Sequence, residues 1–264
     1  MESGLLYFIL LFFGGLLAGV INTLAGNGSA ITLSLLILSG MPATLANGTN
    51  RIGALMQTIT AVLSLRRTPR TRFLFRDSYW FLIPSLIGSV IGALLAVEVD
   101  PQLLKRIIGI IMLSLLMTMV YKPAKWARAT NVSKDHRTPL NWILVFLVAL
   151  YGGFLQMGIG IMLLSLLVLL AQYSLRDANI IKLVLAFLFV LPAFIVFVAT
   201  DQVVWIPGLI LAAGQGIGAW LGARYILFLP KANQIVRYLL ISILSLSSLS
   251  LLGILDWLKA LLTL

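Results

Sequence analysis

Long, nearly charge-free apolar runs constrain this chain more than any other feature. Ten of them can be read, at 5–21, 24–38, 45–65, 79–97 and 103–121, then at 140–157, 158–173, 179–200, 203–222 and 235–255. A helix needs about 20 apolar residues to cross a hydrocarbon layer at about 1.5 Å per residue. The runs average close to that length, with 24–38 and 158–173 the short ones. They are continuous, without the alternation of a membrane-spanning β-barrel. Apolar residues make up 61% of the 264 positions and charged residues 10%, whereas soluble domains have about half and about a quarter. A soluble enzyme is thereby excluded, and the chain reads as an all-α polytopic membrane protein. The first run starts almost at Met1 and leads into further runs with no small-residue cleavage site, so it is expected to be a retained helix.

The formal net charge is +11. A nucleic-acid partner would need a basic face on a soluble domain. Here the charges fall in short gaps between apolar runs, so the bilayer is the expected partner and nucleic acid is not. There is no cysteine, and the one histidine, His136, lies in a polar stretch. No metal or cofactor site is expected from such a set. A phosphate-cradling Gly-rich Lys loop is missing, as is any nucleophile with a plausible base. The chain is therefore read neither as an enzyme nor as a self-contained ATP-driven pump.

The polar stretch 122–139 divides the sequence into repeats at 1–121 and 140–264, and internal matches join them. Gly14-Gly15 resembles Gly152-Gly153. At an offset of 132, Gly28 aligns with Gly160, Ala46 with Ala178, Asn47 with Asn179 and Asn50 with Lys182. Gly88-Ser89-Val90-Ile91-Gly92-Ala93 resembles Gly214-Gln215-Gly216-Ile217-Gly218-Ala219. Cytoplasmic loops carry the Lys/Arg excess. If all ten segments cross, 15 of the 19 basic residues fall on one side; if the two short segments are re-entrant, 11 do. The first arrangement is preferred. It has five segments per repeat, which inverts one repeat relative to the other, with broken or re-entrant short helices at the centre and 8–10 segments in all.

Two polar, glycine-bearing interruptions stand out: Asn22-Thr23-Leu24-Ala25-Gly26-Asn27-Gly28-Ser29, and Gln156-Met157-Gly158-Ile159-Gly160. Backbone that leaves the helix at membrane depth must be buried in protein or line a wet cavity. Paired interruptions in corresponding halves point to a transporter binding site. A helix restarting near Ser29 would aim N–H groups at an anion. In the next segment Asn47 and Asn50 share a face, flanked by Thr49 and Arg51, with Gln57 deeper; Asn179 and Lys182 stand at the matching places. Arg51 and Lys182 are expected to flank one central cavity. Every Asp and Glu is at or near a segment end. Intramembrane carboxylates mark cation relays, so the pattern favours an anion.

The run Asn22–Ser29, followed by Gly40-Met41-Pro42-Ala43-Thr44-Leu45-Ala46-Asn47-Gly48-Thr49-Asn50-Arg51, resembles the signature of the TauE/SafE sulfite exporter family. Gly158-x-Gly160 with Ala178-Asn179-Ile180-Ile181-Lys182 is similar to that family's degenerate repeat. Asn27 stands where a third glycine is common. The resemblance implies a permease of the bacterial inner membrane that moves sulfite or an organosulfur anion, with both breaks and the Asn50 and Lys182 positions along the anion path. The expected function is secondary active transport of a small anion (sulfite, sulfonate, sulfoacetate or thiosulfate) by alternating access, coupled to the proton gradient. An anion channel, or a permease for another small anion, is the alternative. A homodimer is left open.

Overall fold

A computed structural model describes residues 2–65, 69–121, 138–171, 173–225 and 232–252. Among the described residues there is no strand. The helices are α1 (Glu2–Ala25), α2 (Gly28–Leu38), α3 (Ala43–Leu65), α4 (Pro69–Ser78), α5 (Leu82–Glu98), α6 (Pro101–Tyr121), α7 (Pro139–Phe154), α8 (Ile159–Ser165), α9 (Leu175–Ala199), α10 (Trp205–Arg224) and α11 (Ala232–Leu251). A 3₁₀ turn, Tyr79–Phe81, joins α4 to α5, and a π turn, Leu166–Leu170, follows α8. Positions 122–137 of the basic stretch, including His136, lie outside the described residues. Its last two residues start α7: the Thr138 hydroxyl accepts the Asn141 N–H at 3.2 Å, and Pro139 fills a first-turn position where no donor is needed.

Four stretches are long and apolar enough to cross a membrane: Gly4–Thr23, Arg72–Glu98, Asp177–Ala199 and Trp205–Arg224. The second is longer than the sequence run at 79–97 because α4, the 3₁₀ turn and α5 continue without a gap. Pro69 sets the start of α4, as proline favours a first helical turn. Polarity is distributed inside out relative to a soluble protein. Leu5, Phe13, Ile83 and Leu209 are more than half exposed, while Asn27, Asn47, Arg51 and Gln215 are at most 1% exposed. Such a surface suits hydrocarbon, and the polar chemistry is held within.

Chain order is not packing order. α1 lies against α10, and α7 against α5; α3 also lies against α10, and α9 against α5; α3 meets α9, and α6 meets α11. Glycines let backbones approach closely at the first two crossings. Cβ atoms on Gly88, Gly92 and Gly153 would run into the carbonyls of Phe146, Leu150 and Ser89. On Gly214, Gly218 and Gly19 they would run into those of Phe12, Leu16 and Gln215. Gly153 against Ser89 and Gly19 against Gln215 make like contacts, whereas the sequence pairs Gly153 with Gly15.

Candidate functional site

The two sequence interruptions are real helix breaks, tighter than their sequences suggested. α1 runs on to Ala25, so Asn22 and Thr23 belong to its last turns, and α2 restarts at Gly28. Only Gly26 and Asn27 are out of helix, with Gly26 at φ +79°. The second break, 155–158, holds Gln156 at φ +64° and Gly158 at φ +76°. Left-handed backbone is accessible to glycine at no steric cost but is strained at Gln156. The breaks meet: a Cβ on Gly26 would collide with the Gly160 backbone, and one on Gly160 with that of Gly26. Asn27 Oδ1 lies 3.5 Å from where a Cβ on Gly158 would stand. At the first break, Asn22 Oδ1 accepts the Gly28 N–H at 3.3 Å. The carbonyl of Ser29, buried in the first turn of α2, accepts from the Thr32 hydroxyl at 3.3 Å.

α3 carries most of the remaining polar side chains, and its own contacts engage many of them. Arg51 Nη1 donates to the Gly152 carbonyl at 2.6 Å and Nη2 to that of Gly153 at 2.7 Å. Asn47 Nδ2 donates to the Phe154 carbonyl at 2.7 Å. Together they cap the end of α7, whose last carbonyls have no partner within the helix and where the helix dipole is negative. The guanidinium also lies 5.4 Å from the centre of the Phe197 ring. The Thr49 hydroxyl accepts the Val204 N–H at 2.9 Å, fixing the start of α10. Asn50 Oδ1 accepts from the Thr32 hydroxyl at 2.6 Å, tying α3 to α2.

On α9, Lys182 is 2% exposed and donates to Asn179 Oδ1 at 3.0 Å. Neither Lys182 nor Arg51 pairs with a carboxylate among the described residues. Lys182 and Phe197, the ring against Arg51, are about 22 Å apart along the α9 axis. The two cations therefore stand at different levels of the bundle. Lys182 is two turns before Phe189, a ring that packs beside Gly152 at the second break.

Among the described residues, several buried polar atoms have no hydrogen-bond partner. They are both side-chain polar atoms of Asn27, Asn50 Nδ2, Arg51 Nε, Gln57 Oε1, Gln156 Oε1 and Gln215 Nε2. An orphaned buried polar atom costs about 1–3 kcal/mol, and native proteins tolerate few. All but Gln215 belong to residues singled out in the sequence. Gln215 was missed because its stretch served only as a match to Gly88–Ala93; the signal was an amide inside an apolar helix. A cavity of about 490 Å³ lies away from the breaks, lined by Thr60, Leu63 and Ser64 of α3 and by Trp220, Ala223 and Arg224 of α10.

Comparison with known proteins adds an independent line. The family profile described as sulfite exporter TauE/SafE matches residues 11–251. A probable membrane transporter protein of Haemophilus influenzae is 28% identical over 90% of this chain and 91% of its own length. The probable membrane transporter protein ORF9 of a Sinorhizobium species is 30% identical over 88% of this chain and 87% of its own. The probable membrane transporter protein YfcA of Escherichia coli K12 is 27% identical over 88% and 84%. No solved structure matches the chain.

Proposed function

The chain belongs to the sulfite exporter TauE/SafE family, a membrane transporter by kinship, and from that premise we propose secondary active transport of sulfite or a related sulfur-containing anion. The observation that carries this reading is the meeting of two helix breaks at Gly26 and Gly160, amid buried amides with unused hydrogen-bonding atoms. Two buried cations without carboxylate partners add positive potential, which acts strongly where water is scarce. An anion suits such surroundings; a cation does not.

The reading includes inverted repeats at 1–121 and 140–264, joined by a basic cytoplasmic linker at 122–139, in a bacterial inner membrane. The repeated glycine crossings support duplication, since matching helices exchange partners between halves. α1 uses α10 as α7 uses α5, and α3 uses α10 as α9 uses α5. On this reading the moving bodies are two bundles, α1–α3–α10 and α5–α7–α9, each drawn from both halves. Tilting one against the other about the Gly26–Gly160 contact would expose the breaks to each side in turn. Lys182, which donates to Asn179, supplies charge to the substrate. Arg51 acts from behind the α7 terminus, while Asn27, Asn50, Gln57 and Gln156 offer hydrogen bonds.

Proteoliposomes loaded with buffer and given radiolabelled sulfite under an imposed pH gradient test the proposal. Saturable accumulation above the outside concentration, abolished by a protonophore, is the expected result. Equilibration without accumulation would mark a channel instead, and no sulfite movement at all would overturn the substrate. In the same assay Lys182→Ala should lower flux at least about tenfold, the loss of one charge-assisted contact, with thermal stability retained. Unchanged flux would remove Lys182 from the path.

A further inference from the structure

Gln215 lies on α10, whose backbone at this point packs against Gly15 and Gly19 of α1, and its side chain reaches toward α3. There it sits over Gly53: a Cβ on that glycine would come within 2.5 Å of Gln215 Nε2 and 2.8 Å of its Cδ. Residues 50, 53 and 57 share one face of α3 at successive turns, so Gly53 is the gap between Asn50 and Gln57. All three amide side chains are 1% exposed. Each has an atom without a partner: Asn50 Nδ2, Gln57 Oε1 and Gln215 Nε2. An unpartnered donor set over Gly53, with a second donor and an acceptor about one turn to either side on the same helix face, marks a place suited to a third group. Ser89 offers a contrast. It matches Gln215 in the sequence repeat, yet its hydroxyl donates to the Phe189 carbonyl, so its polar group is used within the protein.

We propose that Gln215, with Asn50 and Gln57, forms a binding station for an oxyanion on the α3–α10 seam, and that Gly53 keeps it open. Donors on Asn50 and Gln215 face the anion's oxygens, while the Gln57 acceptor suits an oxyanion that carries one O–H. The inference rests on the transport reading above and deepens it by assigning substrate contact to a residue outside both helix breaks.

The test replaces Gln215 by Met, close in volume and without hydrogen-bonding amide atoms, and Gly53 by Ala, which must push the carboxamide aside. Sulfite flux is measured in proteoliposomes as a function of concentration, and thermal unfolding is followed in detergent. Gln215→Met should raise the sulfite KM about tenfold or more, the loss of one hydrogen bond to a charged group, without lowering the melting temperature. Gly53→Ala should raise KM by a smaller factor. A lowered melting temperature with unchanged KM would show a merely structural amide and overturn the inference. Unchanged KM in both variants, with wild-type flux intact, would overturn it too while leaving the transport reading standing. Absence of sulfite flux in the wild type would remove the reading and the inference together.

Discussion

The two helix breaks do the same geometric job, and only the second is also finished from a distant part of the chain. At the first, Asn22 from the last turns of α1 reaches forward to the Gly28 N–H, so the repair comes from the same few residues. At the second, the carbonyls of Gly152, Gly153 and Phe154 are capped by Arg51 and Asn47, about a hundred positions away in the chain. A locally finished break can keep its shape while its surroundings move. A break finished from α3 is coupled to every movement of α3. Since α3 is also tied to α2 through Asn50 and to α10 through Thr49, it links the second break to the bundle that holds the first.

The comparison can be broken hardest at Arg51. Arg51→Met leaves the Gly152 and Gly153 carbonyls without these donors, and thermal or denaturant unfolding should show a loss of about 4 kcal/mol, about 2 for each orphaned acceptor. Arg51→Lys should recover only part of this, because an ammonium is a point charge without the guanidinium fork. Next comes the crossing shared by both breaks. Gly160→Ala should cost about 2 kcal/mol through overpacking against the Gly26 backbone. Gly26→Ala should cost about 1 kcal/mol more, since its left-handed φ adds strain. The smallest effect is expected at the local cap, where Asn22→Ala should cost about 1 kcal/mol, the usual value of a lost side-chain cap. If Asn22→Ala proves as damaging as Arg51→Met, the distinction between local and remote finishing is wrong.

Glycines beside side-chain amides, Asn at the first and Gln at the second, made both breaks legible in the sequence, because non-helical backbone at membrane depth requires residues of that kind. The similarity around Gly88–Ala93 and Gly214–Ala219 was legible as well, and the structure gives its purpose in two backbone crossings. Arg51 was legible as a cation but not as a cap. Its acceptors are main-chain oxygens of a helix in the other half, and no spacing rule connects them. Lys182, matched to Asn50 in the repeat, has no such role: it lies about two turns into α9 and donates to Asn179 on its own helix. The boundaries of the first break were displaced for a different reason. Asn22 and Thr23 are poor helix formers, yet Thr23 returns its hydroxyl to the Gly19 carbonyl at 2.9 Å and stays in the helix.

The glycine crossing between α1 and α10 has a consequence for how the molecule is made. The ribosome delivers α1 about 180 residues before α10 begins, which at ordinary rates of synthesis is about 10–40 s. For that interval the grooved face of the first helix stands in the bilayer without the partner it was shaped for. A chain halted in its second half would therefore leave a membrane-inserted fragment that cannot complete its own interior, open to mispairing with another nascent copy or to removal by quality control.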